Sequence, residues 1–573
     1  MQQEKQGDFD FGSGLGLELG SGLGLGVGIM DITGTSKESI ELRVASQNNG
    51  DTLLSFSDFS GGNYHSSRDD TTLRRLGKRP LLNRSFGFMS SLGLSCTVLL
   101  SWEGILVTSV PTFLSGGSGG VVWAFLIAWV GMASVYASVA ELASIAPTAG
   151  GQYHWVAMMA PDSCANFLSY LTAWLTTLAW QVIAITTSYS VATIIQGIVV
   201  LARPTYVAIS WHTVLIMWAA AVFSVLVNST TGRALAKFEG AVLILHLTGF
   251  FGVLVPLVYF APHNTPADVF TTFVNNGGWP SQGVAFLVGI PTVASTLTGA
   301  DCAVHMSEEV RQANVAVPRA LVYTIFINGA LGFAMVIALL FCISDVPDAV
   351  AAADTMFYPF LQIFESAVKS TTGACMMAGV VLVLAVASSI STYASASRMM
   401  WSFARDKGLP FDRYLVKLNG NSLPVYAIIC TMAITVLISL IVLGSSVVLS
   451  ALLSLLLAAI YSSYLLACGL LLWRRCTGAF LPYTAGADED PRNADQLFWG
   501  PWKLPEPFGT INNAFACVYT IFLLFWSFWP QSNNPDPEEL NWSVVVYGAV
   551  VVFSIVWYVV RARHYFKGPI REV

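Results

Sequence analysis

An all-α membrane protein of twelve transmembrane helices is the fold this sequence predicts, and three observations predict it. The 573 residues are 54% hydrophobic and only 11% charged, with a mean hydropathy of +0.63, whereas soluble chains carry about 25% charged residues. Apolar stretches of about 20 residues, the length that crosses a bilayer, recur near 86–112, 120–146, 165–200, 208–228, 239–261, 282–305, 319–343, 374–402, 424–444, 447–474, 511–530 and 543–563. With both ends placed inside, only Arg203 and Lys369 of the 28 Lys and Arg fall in external loops. That asymmetry is the one that orients membrane proteins, and it predicts cytoplasmic termini.

Residues 1–85 form a polar tail with a Gly/Leu tract, GSGLGLELGSGLGLGVG, at Gly12–Gly28. The tract lacks the basic start of a signal peptide, and glycine at this density opposes a stable helix. The tail is expected to be disordered and cytoplasmic, with Ser and Thr residues as handles for regulatory partners. Arg74, Arg75, Lys78, Arg79 and Arg84 then form a basic cluster facing anionic lipid. A second short cytoplasmic tail is expected at 565–573.

The first span is interrupted mid-way by Ser101-Trp102-Glu103-Gly104, and the sixth by Thr298-Gly299-Ala300-Asp301. A carboxylate at membrane depth is expensive without a partner, so a protein that keeps one generally uses it. Corresponding interruptions in two halves point to an inverted-repeat transporter with its site at the midplane. Unwound backbone offers N–H groups to a carboxylate and C=O groups to a cation. Trp102, Glu103 and Asp301 would add a cage for an ammonium group. The substrate-binding candidates are therefore these eight residues, with Gln181 of the third span.

The second span runs out through Glu141–Ala146, and Pro147 with Gly150-Gly151 stops the helix and permits a tight turn. The third span is over-long and is expected to tilt or protrude. Residues 228–240, with Arg233, Lys237 and Glu239, read as a solvated cytoplasmic loop. His246, inside VLILHLTGFF, is either a neutral core residue or a proton-coupling group. Ser388 and Ser391 of the eighth span either ligate an ion or let helices pack closely. The segment 345–372 is expected to hold a short helix lidding the entrance. The nine cysteines show no metal-ligand spacing, and no phosphate-binding GxxxxGK[ST] or catalytic grouping occurs. No enzyme activity, cofactor, metal or nucleic-acid partner is expected, and energy would come from an ion gradient, by elimination protons.

Three motifs carry a family resemblance: ELASIAPTAGGQYHW (Glu141–Trp155), HMSEEVRQANVAVPRA (His305–Ala320) and SRMMWSFARDKGLPF (Ser397–Phe411). Together they resemble the fungal branch of the amino acid–polyamine–organocation superfamily, which includes GABA permeases and choline transporters, over roughly residues 86–564. The resemblance implies a five-plus-five inverted repeat, about 86–261 and 282–474, with helices 1 and 6 discontinuous and two extra helices at about 511–563. It implies secondary active import of an amino acid or related amine, GABA-like, by proton symport at the plasma membrane. Choline or polyamine transport is the alternative, and a non-transporting nutrient sensor the rival. It also assigns an inner gate to Glu141, Pro147, Gly150, Gly151, Glu308, Glu309, Arg311 and Arg319, although charged loop residues also pair for solvation alone.

Overall fold

The computed structural model describes residues 41–43, 53–55, 62–230, 232–343, 346–444, 448–483, 496–536 and 540–572. The Gly/Leu tract, and with it the expectation of disorder and of regulatory handles there, lies outside the described residues. Residues 1–63 form a unit of their own, in which Glu41–Arg43 (β1) pairs antiparallel with Leu53–Ser55 (β2). Residues 64–573 form the helical unit. The part of the tail expected to be unstructured includes a helix, α1 (Gly62–Arg75).

The helical unit is built from α2 (Phe88–Leu99), α3 (Ser101–Ile145), α4 (Gln152–Met159), α5 (Ala165–Ala202), α6 (Ser210–Asn228) and α7 (Gly232–Phe260). It continues through α8 (Gln282–Ser295), α9 (Cys302–His305), α10 (Ala313–Cys342), α11 (Thr371–Arg405), α12 (Val425–Ser439), α13 (Val448–Cys476), α14 (Phe508–Ser527) and α15 (Ser543–Trp557). Among the described residues, 11 helices are long and apolar enough to cross a membrane. The sixth expected span is the difference: α8 is a 14-residue apolar helix that stops at Ser295, because the chain unwinds before the four-residue α9.

The first two expected spans are Phe88–Thr108 and Gly116–Ile145. The loop expected between them is helical, and the chain turns at Gly117, where φ is 68° and ψ −174°. That backbone is open to glycine at little cost. It also brings Gly119 N–H within 2.9 Å of the Thr272 carbonyl. The long third span is one continuous helix of 38 residues, α5, about 57 Å at 1.5 Å per residue, so it exceeds a hydrocarbon core of about 30 Å.

Burial ranks the helices from centre to rim. The most apolar window of the first span is 83% buried, whereas that of the last, Ser543–Tyr565, is 11% buried. The composition explains the contrast. Nine of the 15 residues of α15 are Val, Phe or Ile, which suits contact with lipid. α5 buries Thr172, Thr176 and Thr177, whose hydroxyls donate to carbonyls four residues back and so carry no unmet demand into the core. The expected lid is two short helices, Val346–Met356 and Pro359–Val368. They flank a cavity of about 1020 Å³ lined by Tyr206, Asp354 and Glu365, among others.

The solvated loop expected at 228–240 is not there. The chain turns at 229–230 and re-enters a helix by Gly232, so Glu239 is wholly buried. Three charged residues in thirteen resemble a loop in composition, yet Arg233, Lys237 and Glu239 all fit the first turns of a helix.

Candidate functional site

The two interruptions meet in space. The first lies at Leu100, one residue before the stretch expected from sequence, with φ 42° and ψ 50°. Ser101, Trp102, Glu103 and Gly104 are already the first turn of α3. The second spans Thr296–Asp301, with Gly299 at φ 123°. A Cβ on Gly104 would sit 3.3 Å from Thr296 Cβ, and one on Gly299 3.3 Å from Val98. Ser95 donates to the Ala300 carbonyl at 3.1 Å. So the first interrupted helix, on both sides of its break, packs directly on the break of the second.

Neighbouring helices hold the freed backbone. Ser101 donates to the carbonyl and side-chain oxygens of Asn328 on α10, at 2.7 and 2.9 Å. The Gly299 and Ala300 N–H groups donate to the Tyr136 hydroxyl at 2.8 and 3.2 Å. Thr298 meets the Tyr461 hydroxyl at 2.9 Å. Irregular backbone at this depth is tolerable because it is satisfied inside the protein.

The carboxyls are held apart. Glu103 and His246 share a hydrogen bond of 2.8 Å, and Trp102 packs on His246 and Phe250 of α7. Asp301 instead accepts from Gln152 of α4 at 2.7 Å and lies 3.7 Å from His305. The single cage of Trp102, Glu103 and Asp301 is therefore divided between two sets of partners. Oδ1 of Asp301, Oε2 of Glu103, Nε1 of Trp180 and the Tyr464 hydroxyl have no hydrogen-bond partner among the described residues. Gln181 donates to Thr431 at 3.3 Å and keeps its oxygen unpaired. Ser391 lies 2.6 Å from Glu239, and the Ser388 hydroxyl, also buried, is unpaired.

The arrangement offers distinct ends to a zwitterion. The first N–H groups of α3, those of Trp102 and Glu103, have no intrahelical acceptor and sit at the positive end of a long helix. Pairing with His246 takes up the Glu103 charge that would repel a carboxylate there. The free oxygen of Asp301, with Tyr136, Tyr464 and Trp180 nearby, suits an ammonium group. Tyr136, Gln152, Asn328, Tyr461 and Tyr464 were not visible as site residues in the sequence, because aromatics and amides on apolar helices look like packing.

The three sequence motifs converge on one cluster. Gly151, at φ 52°, lets the start of α4 approach α9, where His305 contacts the Ala149 carbonyl at 2.9 Å. Pro147 starts the same turn, and Ala149 N–H donates to Glu308 at 3.3 Å. Glu308 pairs with Arg405 at 3.0 Å, and Glu309 with Arg398 at 2.8 Å. Tyr153 donates to Asp406 at 2.7 Å, and Lys78 pairs with the same carboxylate. Glu141 pairs with Arg475 and accepts from Leu504 N–H at 2.9 Å. His154 stays out of this charge cluster: burial, then the positive charges of Lys78 and Arg405, push its imidazole down to about 3.

The partners of Glu308 and Glu309 thus come from α11, some 90 residues later, and not from the local arginines. Arg311 is exposed and donates to the Arg84 carbonyl at 3.4 Å, and Arg319 is exposed. Both chain-end segments join in. Glu572 accepts from Arg405 Nε at 2.6 Å and from Arg79 N–H at 2.9 Å, and Ile570 N–H donates to Asp406 at 2.9 Å. Burial pushes the Glu572 carboxyl up, but Arg405, Arg79 and Lys78 outweigh it and hold it below the usual carboxylate range.

Comparison with known proteins accords with this geometry. A family model described as amino acid permease matches residues 86–551. The chain is 28% identical to a choline transporter of Saccharomyces cerevisiae, over 85% of this chain and 83% of that one. It is 27% identical to an uncharacterised amino-acid permease of Schizosaccharomyces pombe, over 87% and 84%. It is 24% identical to amino-acid permease 2 of Neurospora crassa, over 87% and 89%. With paired helix breaks inside an apolar bundle and a family match across most of its length, this chain is an integral membrane transporter that belongs to the amino acid permease family, within the amino acid–polyamine–organocation superfamily.

Proposed function

We propose that the chain is a secondary active importer of an amino acid or related amine, GABA-like, driven by proton symport through alternating access around its two broken helices. The observation that carries this reading is the apposition of the Leu100 and Gly299 breaks, each flanked by a buried carboxyl. In this reading α8 and α9 are the interrupted sixth of twelve spans, two five-helix repeats supply the first ten, and α14 and α15 are appended. The cluster joining Glu308, Glu309, Arg398, Arg405 and Asp406 is the closed inner gate at a cytoplasmic face of the plasma membrane. The distribution of Lys and Arg supports that orientation.

The substrate ammonium would meet Asp301, and its carboxylate the start of α3. Choline, which has no carboxylate, would use only the first of these, and the similarity to a choline transporter keeps it as the second reading. Uptake of labelled GABA, a panel of labelled amino acids and labelled choline into a transporter-deficient host decides between them. Accumulation of GABA or an amino acid that collapses with the pH gradient is expected. Accumulation of choline alone would replace the substrate, and binding without uptake would favour a sensor.

A further inference from the structure

Glu239 is a buried carboxyl that pairs with no cation among the described residues. It lies wholly buried in α7, where α2, α9 and α11 converge. Gly93 of α2 is so near that a Cβ there would overlap the Glu239 carbonyl oxygen. Ser391 Oγ of α11 is 2.6 Å from Oε1, Oε2 has no hydrogen-bond partner, and the Thr97 hydroxyl, three residues before the Leu100 break, approaches the same carboxyl.

The charged and titratable groups on the surrounding helices are engaged elsewhere. α2 brings only Cys96, which faces Thr324. α9 brings Cys302 and His305, preceded by Asp301, which is bonded to Gln152. α11 brings Arg398 and Arg405, paired with Glu309 and Glu308, and Tyr393, bonded to Thr435. On α7 itself, His246 is bonded to Glu103, and Arg233 and Lys237 are exposed whereas Glu239 is buried. α6 and α10 bring His212, bonded to Tyr206, and exposed Arg319, and the Pro359–Val368 helix brings Glu365, which accepts from Thr371. Among the described residues no Lys, Arg or His pairs with Glu239.

A charge buried at this depth without a paired cation is costly. The hydrogen-bond count agrees. Ser391 has one proton but two oxygen neighbours, Glu239 Oε1 at 2.6 Å and the Ala387 carbonyl at 3.0 Å. A proton on Glu239 relieves that competition, because the acid then donates to Ser391 while Ser391 donates to Ala387. The Glu103–His246 pair differs, because the imidazole can take the acid's proton without exchange with water.

We propose that Glu239 is the group that carries the coupled proton, a role that rests on the proton-symport reading above. While α2 is packed against α7 and α11, the carboxyl holds its proton. When α2 moves at the Leu100 break, the contact at Gly93 and Thr97 opens and water reaches the acid. An O–H bond forms with a proton from water on one side of the membrane and breaks to water on the other, with no change of electron count.

Full-length protein in proteoliposomes tests this, with labelled GABA and labelled choline as probes. A one-unit pH gradient supports about tenfold accumulation at one proton per substrate. Glu239→Gln is expected to lower that ratio to about one, a far larger loss than it causes in substrate counterflow at equal pH. Ser391→Ala, a milder change, is expected to displace the pH at half-maximal uptake. If Glu239→Gln still accumulates probe with wild-type dependence on the gradient, or Ser391→Ala keeps the wild-type pH profile, Glu239 is not the carrier. If wild-type protein accumulates and exchanges neither probe nor any of the labelled amino acids, the symport reading fails, and the proposal with it.

Discussion

Glu103 and His246 form a buried hydrogen-bonded pair whose halves depend on each other. His246→Leu removes the partner and leaves an acid without compensation, a change that costs about 3–5 kcal/mol for buried pairs. Glu103→Gln with His246→Leu should recover part of that loss in a thermal melt, and no recovery would show that the pair does not act as a unit. Gly299 makes a backbone argument of the same size. At φ 123° a β-branched side chain is strained by about 1–2 kcal/mol, so Gly299→Val should lose uptake and melt earlier. Full uptake would mean that the break tolerates ordinary helical backbone. Leu100 holds a left-handed conformation without glycine's freedom, which is why the first break was read one residue late. Trp102-Glu103-Gly104 looked like the interruption because Gly and Glu are the visible breakers, whereas nothing in a leucine announces a positive φ.

At the scale of elements, the interlock of α4, α9 and α11 explains why three distant motifs share polar character. Arg398 is fully buried against Glu309, so Arg398→Ala should lower stability by about 3–5 kcal/mol. Arg398→Lys should rescue it only in part, because a lysine lacks the planar fork. Arg319→Ala should shift stability by less than about 0.5 kcal/mol, as exposed substitutions do; a large loss in a melting series would restore Arg319 to the gate. The spans themselves were readable from the sequence, since a run of apolar residues fixes its own length. Charge pairing was not, because Glu308 and Arg405 are 97 positions apart and only the packing of α11 on α9 joins them. Glu239 was misplaced for a related reason: a short polar run marks either a loop or a helix start, and local composition does not decide.

At the scale of the whole molecule, the segments around Arg79 and Glu572 close over the face where the gate lies. Because the folded Glu572 carboxyl titrates below its ordinary value, its contribution is complete above the usual carboxylate range and fades as pH falls through the depressed value. Glu572→Gln should lower stability at neutral pH by about 1 kcal/mol, the modest figure proper to a half-exposed group. The deficit should disappear in melts below the depressed value, and a deficit that persists in acid would assign the effect to packing. Twelve spans were expected, and among the described residues eleven helices are long and apolar enough to cross a membrane, because α8 stops at Ser295 where the chain unwinds. Arg405 is a shared bearing: one guanidinium holds both Glu308 and Glu572. Anything that grips the chain near Glu572 therefore pulls on the same side chain that ties α11 to Glu308.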